Sequence, residues 1–113
     1  MDVSGTNLSM IRGDTEAISI AAEDGDGVAI PLVAGDTIYF TVKENTETDD
    51  KIIQKIVTEF TLGEALITLF PADTKDLEAG VFVYDIQWTK ASGEVRTIVP
   101  PSQFALRGDV TYE

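Results

Sequence analysis

Apolar and polar side chains alternate along most of this 113-residue chain. In 15–22, Ile18, Ile20 and Ala22 share one side. In 36–44, Ile38, Phe40 and Val42 oppose Thr37, Tyr39, Thr41 and Lys43. In 64–70, Ala65, Ile67 and Leu69 alternate with Glu64, Leu66 and Thr68. In 81–90, Phe82, Tyr84, Ile86 and Trp88 oppose Val83, Asp85, Gln87 and Thr89, and Val95, Thr97 and Val99 continue the rhythm in 94–99. A period of two, enriched in β-branched and aromatic residues, predicts strands with one buried face. Shorter apolar runs at Leu8 to Ile11 and Phe104 to Leu106 also read as strands.

Turn signals separate these runs: Arg12-Gly13-Asp14, Glu23 to Gly27, Ala34-Gly35-Asp36, Asn45 to Asp50, Leu62-Gly63-Glu64, Pro71 to Gly80, Ala91-Ser92-Gly93, Pro100-Pro101 and Gly108-Asp109. Their spacing of about 8–12 residues is the rhythm of a sandwich or barrel. The expected fold is all-β: an immunoglobulin-like antiparallel β-sandwich of seven or eight strands. Residues 1–7 read as a flexible lead-in, and 8–113 as one sandwich domain.

Two stretches depart from the alternation. In 49–60, Ile52, Ile53, Ile56, Val57 and Phe60 fit helical spacing behind Asp49 and Asp50. Read as a strand, the same residues place Ile52, Ile56 and Phe60 on one face. The β-rich surroundings and the Leu62-Gly63-Glu64 turn favour a hairpin into the next strand. In Pro71 to Leu77, an initial proline with acidic residues close behind predicts one short helical turn.

Composition narrows the chemistry. Eight basic residues against twenty acidic ones leave a formal charge of -12. This argues against binding nucleic acid or an anionic membrane surface. The chain has no cysteine and no histidine, so thiolate and imidazole chemistry and the commonest zinc ligands are missing. The reading is non-enzymatic, with no cofactor.

Asp24-Gly25-Asp26-Gly27 opens like a calcium loop, but ligand positions 5 and 12 fall on Val28 and Gly35, and the glycine position 6 on Ala29. It reads as a hairpin turn, leaving Asp24 and Asp26 as weak metal candidates. Arg-Gly-Asp, an integrin-recognition tripeptide when exposed on a flexible loop, occurs at 12–14 and 107–109. Both copies follow apolar runs and read as strand-ending turns. Asp85 lies within an apolar strand; it faces solvent or, if buried, pairs with Arg96 or Lys90. Phe82, Tyr84 and Trp88 read as core rather than as a sugar-stacking platform, which leaves Tyr39 and Tyr112 as exposed aromatic candidates.

The order of these pieces carries a resemblance. Ile11-Arg12-Gly13-Asp14-Thr15 precedes Ala17-Ile18-Ser19-Ile20 and Asp24-Gly25-Asp26-Gly27. Then come Leu32 to Lys43, Ala65 to Leu69, Pro71 to Leu77, Ala79 to Ile86, Gly93 to Pro100 and Phe104 to Thr111. The run resembles the immunoglobulin-like N-terminal domain of phage upper baseplate proteins, and the small prophage tail proteins related to it. In relatives the Val99-Pro100-Pro101 position usually carries a glycine turn, so this junction departs from the pattern. The resemblance implies a virion component, assembled in the host cytoplasm, that docks onto other tail or baseplate proteins; homo-oligomerisation stays open. It brings no catalytic residues. Expected contact residues are Tyr39, Lys43, Asn45, Glu47, Asp49 and Asp50. The alternatives are a carbohydrate-binding module and an acidic decoy of a nucleic-acid-binding protein.

Overall fold

The alternating runs form strands whose apolar side is buried in 36–44, 64–70 and 84–88, whereas Val95 and Thr97 of the 94–99 run are exposed. The computed structural model describes residues 1–24 and 26–110. Among these residues there are ten strands and one short helix: β1 Asp2–Ser4, β2 Asn7–Ile11, β3 Glu16–Ile20, β4 Ala22–Glu23, β5 Ala29–Ile30, β6 Thr37–Lys43, β7 Ile53–Val57, β8 Ala65–Leu69, α1 Pro71–Thr74, β9 Gly80–Thr89 and β10 Val95–Arg107. The all-β reading holds. The count exceeds the expected seven or eight because β1, β4 and β5 are two- or three-residue pieces too short to show a period. The segment read as a lead-in contains β1, which pairs with β2.

The strands form a six-stranded sheet in the order β1-β2-β10-β9-β6-β7, a pair β3-β8 and a small pair β4-β5. A single apolar cluster joins the six-stranded sheet to β3-β8: Ile38, Phe40, Val42, Ile86, Trp88, Phe104 and Leu106 on one side, Ile20, Ala65, Ile67 and Leu69 on the other. At its centre the rings of Phe40, Tyr84 and Phe104 lie 5.5–6.4 Å apart, in tilted and edge-on contact. The architecture is sandwich-like.

Three expectations need correction. The sheet is not wholly antiparallel, because β2 runs parallel to β10 with Leu8 opposite Phe104 and Ile11 opposite Arg107. Antiparallel neighbours can be joined by a tight turn, whereas this pair is formed by distant parts of the chain.

Pro100-Pro101 does not end a strand. It lies inside β10, where the register with β9 shifts between Thr97 and Val99 and again between Val99 and Ser102. A residue without an N–H cannot donate to the ladder, so it sits at the irregularity instead of breaking the strand.

The 49–60 stretch is a strand, as favoured, but it makes no hairpin with its successor. β7 pairs back with β6, and β8 pairs with β3. The Leu62-Gly63 turn is present, closed by two hydrogen bonds between Thr61 and Glu64, yet it carries the chain from one sheet to the other. The buried side of β7 is Ile53 with the half-buried Val57, while Ile56 is exposed. Pairing with β6, not the local spacing of apolar residues, selects that side.

The short helix falls where expected. Pro71 occupies its first turn, and the Asp73 carboxylate accepts a hydrogen bond from the Phe70 N–H at 2.7 Å.

Candidate functional site

The side of β6 that faces away from the core carries Thr37, Tyr39, Thr41 and Lys43, all half-buried. The ladder with β9 sets Tyr39 opposite Gln87, Thr41 opposite Asp85 and Lys43 opposite Val83. On the other flank β7 brings Ile56 beside Tyr39, and Gln54 donates to Thr41 Oγ1 at 3.1 Å. These residues form an open face, indented by a cavity of about 250 Å³ whose lining includes Thr41, Lys43, Asn45, Lys51, Asp85 and Gln87.

Asp85 lies on this outer face, as read from the alternation, but it is half-buried. Burial pushes its carboxyl above the ordinary value of 3.8, and the positive charge of Lys43 pulls it part of the way back. Its electrostatic partner is therefore Lys43 rather than Arg96 or Lys90. Those two cations are engaged by Glu94, at 3.0 and 3.1 Å, and the Lys90 ammonium also lies 4.9 Å from the centre of the Trp88 ring.

Of the six expected contact residues, the structure brings Lys43 and Asn45 into this cavity. Tyr39 stands on the same face outside it. Glu47, Asp49 and Asp50 are exposed in the β6–β7 connection and do not line it. Asn45 shapes that connection: its Oδ1 accepts hydrogen bonds from the N–H groups of Glu47 and Thr48 at 2.9 and 3.0 Å, turning the chain out of the sheet. Nothing in the sequence alone marks Thr41, Lys51, Val83, Gln87 and Pro101 as members of this lining. The period of two places Val83 and Gln87 on the outer face with Asp85, but nothing local in the sequence sets β9 beside β6. Nor does it bring in Lys51 from the β6–β7 connection and Pro101 from β10.

Asp24 caps its own turn. Its Oδ1 accepts from the N–H groups of Asp26 and Val28 at 2.8 and 3.0 Å, and Asp26 is exposed. Among the described residues no three acidic side chains converge as a metal site. Trp88 is buried, and Tyr39 is half-buried between Ile56 and Gln87. Tyr112 and Gly25 lie outside the described residues.

At the two ends of the sandwich, other polar groups serve the fold. Asp36 is buried and accepts hydrogen bonds from the Val33 and Ala91 N–H groups, both at 3.1 Å, tying the loop before β6 to the β9–β10 turn. Burial alone would push this carboxyl up. The two N–H donors, with lesser help from the Trp88 indole and Lys90, outweigh it and hold the group below 3.8. At the opposite end, Arg12 reaches Asp109 and the Leu77 carbonyl, and the Gly13 N–H donates to the buried Thr74 hydroxyl at 2.8 Å.

Compared with known proteins, the chain matches no protein-family model and no curated protein.

Proposed function

We propose that the chain is a non-enzymatic structural module of a phage or prophage that docks onto other tail or baseplate proteins. The observation that supports docking is the open outer face of β7, β6 and β9, where Lys43, Asn45 and Asp85 line a shallow cavity and Tyr39 stands on the same face outside it. The resemblance of the strand-and-turn order to baseplate domains supports the phage setting. The sheet order supports it: β2-β10-β9-β6-β7 packed against the β3-β8 pair is compatible with a sandwich of this kind.

A formal charge of -12 keeps such a subunit soluble and opposes its self-association, and it steers docking toward basic partners. In this reading the chain is a virion component, assembled in the bacterial cytoplasm.

Light scattering over a concentration series tests this, with the chain alone and mixed with the tail proteins encoded beside it. The expected result is a fixed-stoichiometry complex with one of them, weakened by Tyr39→Ala together with Lys43→Glu. A chain indifferent to every tail protein overturns the reading.

A further inference from the structure

β9 is ten residues long and β6 only seven, so the two do not end together. Their ladder stops at Lys43 opposite Val83, whereas β9 continues along β10 to Gly80. Gly80, Val81 and Phe82 therefore have a strand on one side and, among the described residues, none on the other. The cause lies in the Asn45 turn described above, which diverts the chain just past Glu44 and leaves the next position in the sheet vacant. A backbone edge of this kind is a template for an added strand.

The vacant position lies in a groove of about 480 Å³. Ile52, Leu77 and Phe82, all half-buried, supply apolar surface, and Val81 beside them is exposed. Glu44, Asp76 and Glu78 supply carboxylates, and no basic residue lines the groove. One wall is fixed, because the Leu77 carbonyl accepts a hydrogen bond from Arg12 at 3.0 Å. An unpaired strand edge, apolar lining and one sign of charge thus coincide. The charge selects the occupant. A second copy of this chain would bring the same excess of carboxylates, while a segment carrying cations meets complementary potential.

We infer that this groove receives an extended segment of a partner protein, in which lysine or arginine flanks an apolar side chain, paired as a short extra strand along Gly80–Phe82. The inference rests on the docking reading and names a partner chemistry for it at a second surface, next to the open face. Backbone pairing supplies registry, the apolar side chain covers Leu77 and Phe82, and the flanking cations meet Glu44 and Glu78.

The test is selection of a library of short random peptides against the folded chain. Enriched sequences are expected to carry lysine or arginine around an apolar residue. A synthetic peptide of the leading sequence should shift the amide resonances of Gly80, Val81 and Phe82. Glu44→Lys combined with Glu78→Lys should weaken its binding at least about tenfold, with an unchanged denaturation midpoint showing that the fold is intact. N-methylating alternate peptide amides should abolish pairing while preserving charge. Failure to enrich basic sequences, resonance shifts on another surface, or indifference to both charge reversals overturns the inference.

The same double variant, mixed with the tail proteins, separates the two proposals. A tail complex that survives the reversals while no peptide is captured removes the groove and keeps the docking reading. Peptide capture at Gly80–Phe82 with no tail complex does the opposite to the phage assignment.

Discussion

The arginine of the first Arg-Gly-Asp tripeptide, Arg12, is ion-paired with the aspartate of the second, Asp109, at 2.9 Å. Both Nε and one terminal nitrogen of the guanidinium meet the same carboxylate oxygen, and the other terminal nitrogen holds the Leu77 carbonyl. The parallel pairing of β2 with β10 makes this possible by bringing the two tripeptides side by side. Each copy surrenders one of its charged ends to the other. They belong to the fold's own bonding rather than to a presented adhesion loop.

Arg12→Ala and Asp109→Ala are each expected to cost about 1.5–3 kcal/mol, the range for hydrogen bonds to charged groups. Because the two side chains share one interaction, the double variant should cost clearly less than the sum. Urea denaturation of the four proteins in the cycle measures this. Additive losses would mean that the pair contributes no coupling.

Asp36 makes stability depend on acid in a defined direction. Its folded-state carboxyl is held below the ordinary 3.8, so its contribution is complete above that value and fades as the pH falls through the folded-state value. Asp36→Asn should lower stability at pH 7 by about 1–3 kcal/mol and flatten the acid limb of the profile. Denaturation midpoints of both proteins between pH 7 and pH 2 check this. Glu94 is held low as well, first through its hydrogen bonds to Lys90 and Arg96, but it is exposed and solvent screens its share.

Asp85 has the opposite sign. Burial raises its carboxyl above 3.8 despite Lys43, so the folded state disfavours the ionised form at neutral pH. Asp85→Asn should therefore raise the denaturation midpoint at pH 7, and the gain should vanish in acid once the wild-type carboxyl is protonated. Lys43→Gln should push the Asp85 titration further up, as followed by the carboxyl carbon resonance.

The turn between β7 and β8 places two consecutive residues at positive φ, Leu62 at 53° and Gly63 at 78°. Leucine is a poor choice there, and its side chain is 98% exposed. Leu62→Asn is expected to stabilise the protein by about 0.5–1 kcal/mol. Gly63→Ala should do the reverse by about 1–3 kcal/mol, since its new methyl would sit 2.9 Å from the Pro31 Cβ. Thermal melts of the two variants should move in opposite directions.

These features differ in how far the sequence could show them. The buried sides of β6, β8 and β9 were readable because a period of two is a local property, and Ile38, Phe40, Val42, Ile67 and Leu69 are fully buried as it required. Pairing is not local. Ile52, Ile53, Ile56 and Val57 fit either face of a strand, and β6 chooses Ile53. Proline marks a turn and a bulge with the same missing N–H, so Pro100-Pro101 could not be assigned from its type. Of the expected contact set, Lys43 and Asn45 were legible as the outward end of a strand and the turn after it. The groove was not, because it arises from unequal lengths of two strands whose adjacency depends on the whole fold.

The parallel β2–β10 pair also decides how the chain meets mechanical tension. The flank before β2 and the flank after β10 leave the ladder at opposite ends. Pulled apart, they slide the two strands along their length and strain every rung at once. The β1–β2 hairpin, being antiparallel, instead opens one rung at a time. Stretching from outside these strands would strip β1 early at low force and then stall at β2–β10, leaving the core and both ends of the sandwich intact up to a single abrupt rupture.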